Sequence, residues 1–169
     1  ETVFQRIDAE AVITHFHSDG DEVPADAIIA TIDASARALL TGERTALNYA
    51  QRLSGVATQA ARYVAAVSGT GVLLLDTRKT TPGWRDLEKY AVQCGGARNH
   101  RYGLDDMVMI KDNHLAALQG NNRITSAIER CREAHPDLKI EVEADTPIQA
   151  RQAAESGADI ILLDNMTLD

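Results

Sequence analysis

Asp76-Thr77-Arg78-Lys79-Thr80-Thr81-Pro82-Gly83 follows directly on an unbroken apolar run, Val72-Leu73-Leu74-Leu75. Four apolar residues without polar alternation suit a strand buried on both faces, as in a parallel sheet. The run ends in Asp76, Arg78 and Lys79, and Pro82-Gly83 breaks the chain before a helical stretch opens at Trp84. Two adjacent cations at the end of a buried strand are costly without an anionic partner. Ligands of parallel α/β folds bind at the carboxyl ends of the strands. The stretch therefore predicts an anion site, for phosphate or carboxylate. A solvated basic turn is the alternative it leaves open.

The same pattern recurs downstream. Residues 84–91 read as a helix with Trp84, Leu87 and Ala91 inward, stopped by Gly95-Gly96. That glycine pair precedes Asn99-His100-Arg101 and could let backbone approach a phosphate. Residues 107–110 predict a strand ending in Lys111-Asp112-Asn113-His114, and residues 122–134 a helix closed by Pro136. Residues 139–143 predict a strand with Glu141 and Glu143 on one face. An exposed face would make it an edge strand; a barrel interior would make both carboxylates functional. Asp145-Thr146-Pro147 starts a helix, Gly157 stops it, and residues 159–163 form another buried strand before Asp164. Four strands thus end in Arg78 and Lys79, Lys111, Glu143 and Asp164. Right-handed βαβ units place all such ends on one face, so a barrel with its site there accounts for them together.

Upstream, residues 1–33 look β-rich, with strands at 11–16 and 27–32 around a Ser18-Asp19-Gly20-Asp21 turn and Pro24. His15 and His17 share a strand face, but no third metal ligand accompanies them. Thr41 is a plausible cap for a helical pattern running through Leu47, Ala50, Leu53, Ala57, Ala60, Val64 and Val67 to Gly69, with Gly55 able to divide it. Arg44 and Asn48 share one face. A cation in a first helical turn is disfavoured, so Arg44 points to a partner from elsewhere.

At 169 residues, 44% hydrophobic and 25% charged, the chain has the composition of a globular protein with room for a core. No apolar run approaches membrane-spanning length, and no signal peptide is visible. A net charge of -8 argues against general nucleic-acid affinity, though not against a small anionic substrate held by a local basic cluster. Cys94 and Cys131 form no metal or redox motif, which fits a reducing, cytoplasmic compartment. The chain lacks an initial Met and closes just after a strand, so it reads as an internal piece of a longer protein.

Taken together, LLTGERTALNYAQRLSGVAT (39–58), DTRKTTPGWR (76–85), GGARNHRYGL (95–104), MIKDNH (109–114), EVE (141–143) and ILLDN (161–165) resemble the quinolinate phosphoribosyltransferases, also called carboxylating nicotinate-nucleotide pyrophosphorylases. Ala97 stands where many members carry a third glycine. The resemblance implies an α/β protein: part of an amino-terminal α/β sandwich over residues 1–38, a linking helix over 41–68, and the first part of an α/β (TIM-like) barrel over 69–169, truncated at both ends. It implies transfer of phosphoribose from phosphoribosyl pyrophosphate to quinolinate, with decarboxylation, giving nicotinate mononucleotide, pyrophosphate and CO2, with Mg2+ required.

By the same resemblance Arg44, Arg78, His100 and Arg101 bind quinolinate, with Arg44 contributed across a homodimer. Lys79 and Lys111 lie near the substrate and the pyrophosphate-bearing ribose. Glu143 and Asp164 act on the ribose or position magnesium. Planar guanidinium forks match adjacent carboxylates bidentately, and lysine point charges suit phosphate. The rivals are a Schiff-base aldolase-type barrel using Lys79 or Lys111, and an inactive anion-binding or dimerising fragment. The truncation leads to the further expectation that the piece alone is inactive.

Overall fold

The computed structural model describes residues 2–167; Glu1, Leu168 and Asp169, the outer limits of the two expected domains, lie outside the described residues. The chain forms two compact units, residues 1–100 and 101–169.

The first unit is built on one helix. It opens with a short helix, α1 (Thr2–Gln5), followed by strands β1 (Val12–His15) and β2 (Ala30–Asp33), which pair antiparallel with Val12 opposite Asp33. The next helix, α2 (Ala36–Ala66), is continuous through Gly55 for 31 residues. Its cap is Ser35, whose hydroxyl accepts the Ala38 N–H at 3.3 Å, and not Thr41, which lies within the helix. Asp8 accepts the Ser35 N–H at 2.9 Å, and the hydrogen bonds from Ser35 hold its carboxyl below the usual aspartate value. Phe4, 5% exposed, seats where α2 carries Gly42: a Cβ there would stand 2.9 Å from two Phe4 ring carbons.

The helix α3 (Arg85–Cys94) packs against α2. Its buried residues are Glu88, Lys89 and Ala91, whereas Leu87, expected inward, is 37% exposed. Charged groups can occupy the inner face because each finds a partner there, as described below. Trp84 caps α3 and stacks on Tyr49 with ring centroids 4.8 Å apart and planes at 15°.

The apolar run 72–75 does not form the buried strand its composition suggests. It makes one parallel bridge, Leu75 to Arg98, and Val72, Leu73 and Leu75 are 56%, 59% and 53% exposed. The ladder ends after one rung for local reasons. Gly96 turns the chain at φ 84 just before it, and past it the His100 N–H goes to the Asp76 side chain.

In the second unit, β3 (Val108–Ile110), β4 (Ile140–Ala144) and β5 (Ile160–Leu163) form a parallel sheet in the order β3-β4-β5. The helices α4 (Asp112–Ala116) and α5 (Arg123–Ala134) join β3 to β4, and α6 (Pro147–Glu155) joins β4 to β5. This is the βαβ alternation read from the sequence. The α6 start is also as read: Pro147 takes a first-turn position and the Thr146 hydroxyl accepts the Gln149 N–H at 3.2 Å. Ile140, Val142 and Ala153, all fully buried, join Ile110, Ile124 and Ile128 in the core. Since β4 lies between β3 and β5, the Glu141 and Glu143 strand is not an edge strand. The strand β5 is at the border of the described sheet. Ile161 packs on the core, while Ile160, Leu162 and Leu163 are exposed, against the expectation of a strand buried throughout. No helix among the described residues is long and apolar enough to cross a membrane.

Candidate active site

The three parallel strands of the second unit bring their carboxyl ends to one edge of the sheet, because parallel neighbours run in the same direction. Lys111 follows β3 directly, Glu143 is the fourth residue of β4, and Asp164 follows β5. The Lys111 ammonium donates to Glu143 Oε2 at 2.7 Å, so two residues separated by 32 positions meet as an ion pair. Glu143 is largely enclosed, its side chain 17% exposed, while that of Lys111 is 40% exposed. Asp164 is placed by its backbone, whose N–H donates to the Ala144 carbonyl at 3.0 Å. Its carboxylate accepts from Asn165 Nδ2 at 2.8 Å. Asn165 itself sits at φ 51, a left-handed conformation that asparagine tolerates. Lys111 is oriented from behind: its N–H donates to His114 Nδ1 at 2.9 Å. Arg101, half-buried, lays its guanidinium against Met109 Sδ at 3.3 Å, two residues before Lys111.

In the first unit, Arg78 is half-buried, Lys79 exposed and His100 half-buried. The loop that carries Arg78 and Lys79 is closely tied down. Thr80 N–H donates to the Arg78 carbonyl at 2.9 Å, and Arg85 donates to the same carbonyl and to the Thr80 hydroxyl, each at 3.3 Å. Arg44 is exposed and lies eight residues beyond Ala36, more than two turns into α2. The first-turn dipole reason for singling it out therefore does not hold.

The residues missed in the sequence are those that hold this loop. Asp76 accepts from Lys89 Nζ at 2.6 Å and from the His100 N–H at 2.8 Å. The Asn99 amide nitrogen, oriented toward them, donates to Asp76 Oδ2 and to the Lys89 carbonyl at 3.0 Å each. Glu88 accepts from Arg52 at 2.7 Å, from the Thr81 hydroxyl at 2.7 Å and from the Thr81 N–H at 3.0 Å. The Arg52 hydrogen bond, aided by those from Thr81, outweighs burial and holds the Glu88 carboxyl below its usual value. The available signal was the adjacent pair Glu88-Lys89 at inward helical positions. Gly95 has a packing reason. A Cβ there would stand 2.3 Å from the Ala57 carbonyl oxygen of α2.

Two family models divide the chain between them. Residues 1–54 match the quinolinate phosphoribosyl transferase N-terminal domain and residues 56–169 the C-terminal domain. The chain belongs to the quinolinate phosphoribosyl transferase family. The models meet inside α2. A probable carboxylating nicotinate-nucleotide pyrophosphorylase of Synechocystis sp. is 44% identical over 99% of this chain and 56% of its own length. The human carboxylating nicotinate-nucleotide pyrophosphorylase is 42% identical over 98% of this chain and 55% of its own length. The solved structure of the Francisella tularensis nicotinate-nucleotide pyrophosphorylase superposes with a TM-score of 0.94 at 41% identity, covering 98% of this chain and 58% of that one. The chain thus spans a little over half the length of these relatives, and its mixed α/β fold is that of the family.

Lys111 lies beside a carboxylate and is partly exposed, whereas a Schiff-base lysine is activated by an apolar pocket or a neighbouring cation. Among the described residues no three His, Cys, Asp or Glu side chains gather as a metal cage, His15 and His17 included. Magnesium takes one or two carboxylates together with substrate phosphate oxygens, and Glu143 and Asp164 at adjacent strand ends are hard donors of that kind.

Proposed function

We propose that this chain carries the quinolinate-binding residues and part of the phosphoribosyl-transfer machinery of a carboxylating nicotinate-nucleotide pyrophosphorylase. The protein joins quinolinate to phosphoribosyl pyrophosphate and releases nicotinate mononucleotide, pyrophosphate and CO2. The observation that carries this reading is the Lys111–Glu143 ion pair at the ends of parallel strands in a chain of this family.

Quinolinate presents two adjacent carboxylates. Arg78, His100 and Arg101 supply the donors for them, with Arg44 reaching in from the second subunit of a homodimer. Arginine forks suit carboxylates because both oxygens accept at once. Lys79 and Lys111 meet phosphate oxygens and the charge that develops on the leaving pyrophosphate. Breaking the bond between ribose C1 and pyrophosphate leaves positive charge on the sugar, as in glycoside cleavage. Glu143 and Asp164 stabilise that charge and hold the ribose hydroxyls, and they would also hold Mg2+. Bound magnesium supplies neutralisation of the pyrophosphate charge. After the ring nitrogen has bonded to ribose, the bond from ring C2 to its carboxylate breaks and CO2 leaves; the adjacent cationic nitrogen stabilises the electron pair left on C2, which takes up a proton from solvent to give nicotinate mononucleotide. The two cysteines, both free, suit a reducing cytoplasm.

The test is a product assay on a chain of full family length carrying these residues, given quinolinate, phosphoribosyl pyrophosphate and Mg2+. Equal amounts of nicotinate mononucleotide, pyrophosphate and CO2 are expected. Absence of product, or borohydride trapping of Lys79 or Lys111 on a carbonyl substrate, would contradict the reading. In the same assay, mixed Arg44→Ala and Lys111→Ala subunits should recover activity. No recovery in verified heterodimers would return Arg44 to its own subunit's site.

A further inference from the structure

Lys89 is 2% exposed, and the Asp76 side chain that it meets at 2.6 Å is 8% exposed. Burying such a pair costs desolvation that apolar residues of the same volume would avoid, so it is weak support for stability alone. Its hydrogen bonds suggest another use. Lys89 Nζ donates to the His100 carbonyl at 3.2 Å, and Asp76 Oδ1 accepts the His100 N–H at 2.8 Å. Both backbone polar groups of His100 are therefore held by one ion pair. The preceding residue on α3, Glu88, grips Thr81 through its N–H and its hydroxyl. Consecutive residues of α3 thus fasten the Asp76–Thr81 loop at both ends, and the same Lys89 fastens His100.

We infer that Lys89 is a positioning residue for the dicarboxylate substrate: through Asp76 it sets His100 relative to the loop bearing Arg78 and Lys79. This rests on the functional reading above. Lys89 itself, enclosed by Asp76 and the His100 carbonyl, touches no substrate. Small misplacements of binding groups cost on the order of tenfold to hundredfold in rate or affinity.

The test uses a chain of full family length, with Lys89→Met and the double variant Lys89→Met, Asp76→Asn, read by product-formation kinetics and thermal melting. The single variant leaves a buried carboxylate unpaired and should melt early. The double variant removes both charges of the pair, leaves no unpaired charge in its place and should melt close to the parent. In the double variant the KM for quinolinate should rise on the order of tenfold or more, while the KM for phosphoribosyl pyrophosphate moves less than about threefold. Parent-like KM values for both substrates, or an equal rise in both, would make the pair merely structural and overturn the inference. Failure of the double variant to fold would overturn it too, since the pair would then serve the fold itself. A parent that forms no product would instead sink the functional reading on which the inference stands.

Discussion

Glu88 is 8% exposed and directs both carboxylate oxygens at its neighbours, accepting from Arg52, the Thr81 hydroxyl and the Thr81 N–H. These bonds exist for the ionised form, so the folded carboxyl titrates below its ordinary 4.5. A group with a lowered folded pKa stabilises the protein above its unfolded value and loses that contribution as pH falls through the folded value. Glu88→Gln should therefore cost about 1–2 kcal/mol at neutral pH, the scale of charge-assisted hydrogen bonds, discounted because Arg52 is 56% exposed. Its melting temperature should converge on that of the parent as the buffer is acidified below pH 4.5. A gap independent of pH would show that the charge of Glu88 is not what holds Thr81. At this scale the sequence was informative where charge ends an apolar run: Lys111, Glu143 and Asp164 stand at the ends of β3, β4 and β5. Its only signal for the buried network was the adjacent Glu88-Lys89 pair on α3, and it had none for Asp76, because a charged residue whose partner arrives from elsewhere in the fold looks like a solvated one.

Where α2 and α3 pack together, glycine is required for a reason that periodicity does not carry. A Cβ on Gly95 would meet the Ala57 carbonyl oxygen at 2.3 Å, the Ala60 Cβ at 2.6 Å and the Ala61 nitrogen at 2.9 Å. Two of these are backbone atoms, so no rotamer change relieves the contact and the helices must part. Gly95→Ala should cost about 1–3 kcal/mol, the scale of overpacking, measured by chemical denaturation. An unchanged midpoint would mean that the two helices are not packed this closely. Element types were legible: Pro147 after Thr146 marked α6, and the helical periodicity marked α2, although its cap is Ser35 and not the expected Thr41. The apolar run 72–75 misled because composition reports what a segment could bury. A strand also needs a ladder, and here the partner segment makes a single bridge, at Arg98, before the His100 N–H goes to the Asp76 side chain.

For the whole molecule, the family and the α/β class were recoverable because six motifs in order constrain one another more than any single motif does. The exposure of β5 and of residues 72–75 was not, since it depends on which neighbours each strand has. The central proposal is that Arg78, His100 and Arg101 bind the two carboxylates of quinolinate. Arg101 tests it most directly, because its guanidinium lies beside Met109 and not in a buried ion pair, so its removal should leave the fold intact. The deciding measurement is a calorimetric titration with quinolinate of a chain of full family length and its Arg101→Ala variant, with nicotinate as the monocarboxylate control. The parent should bind quinolinate more tightly than nicotinate, and the variant should lose about 1.5–3 kcal/mol of quinolinate affinity. Equal quinolinate affinity in parent and variant, with both folded, would contradict the account.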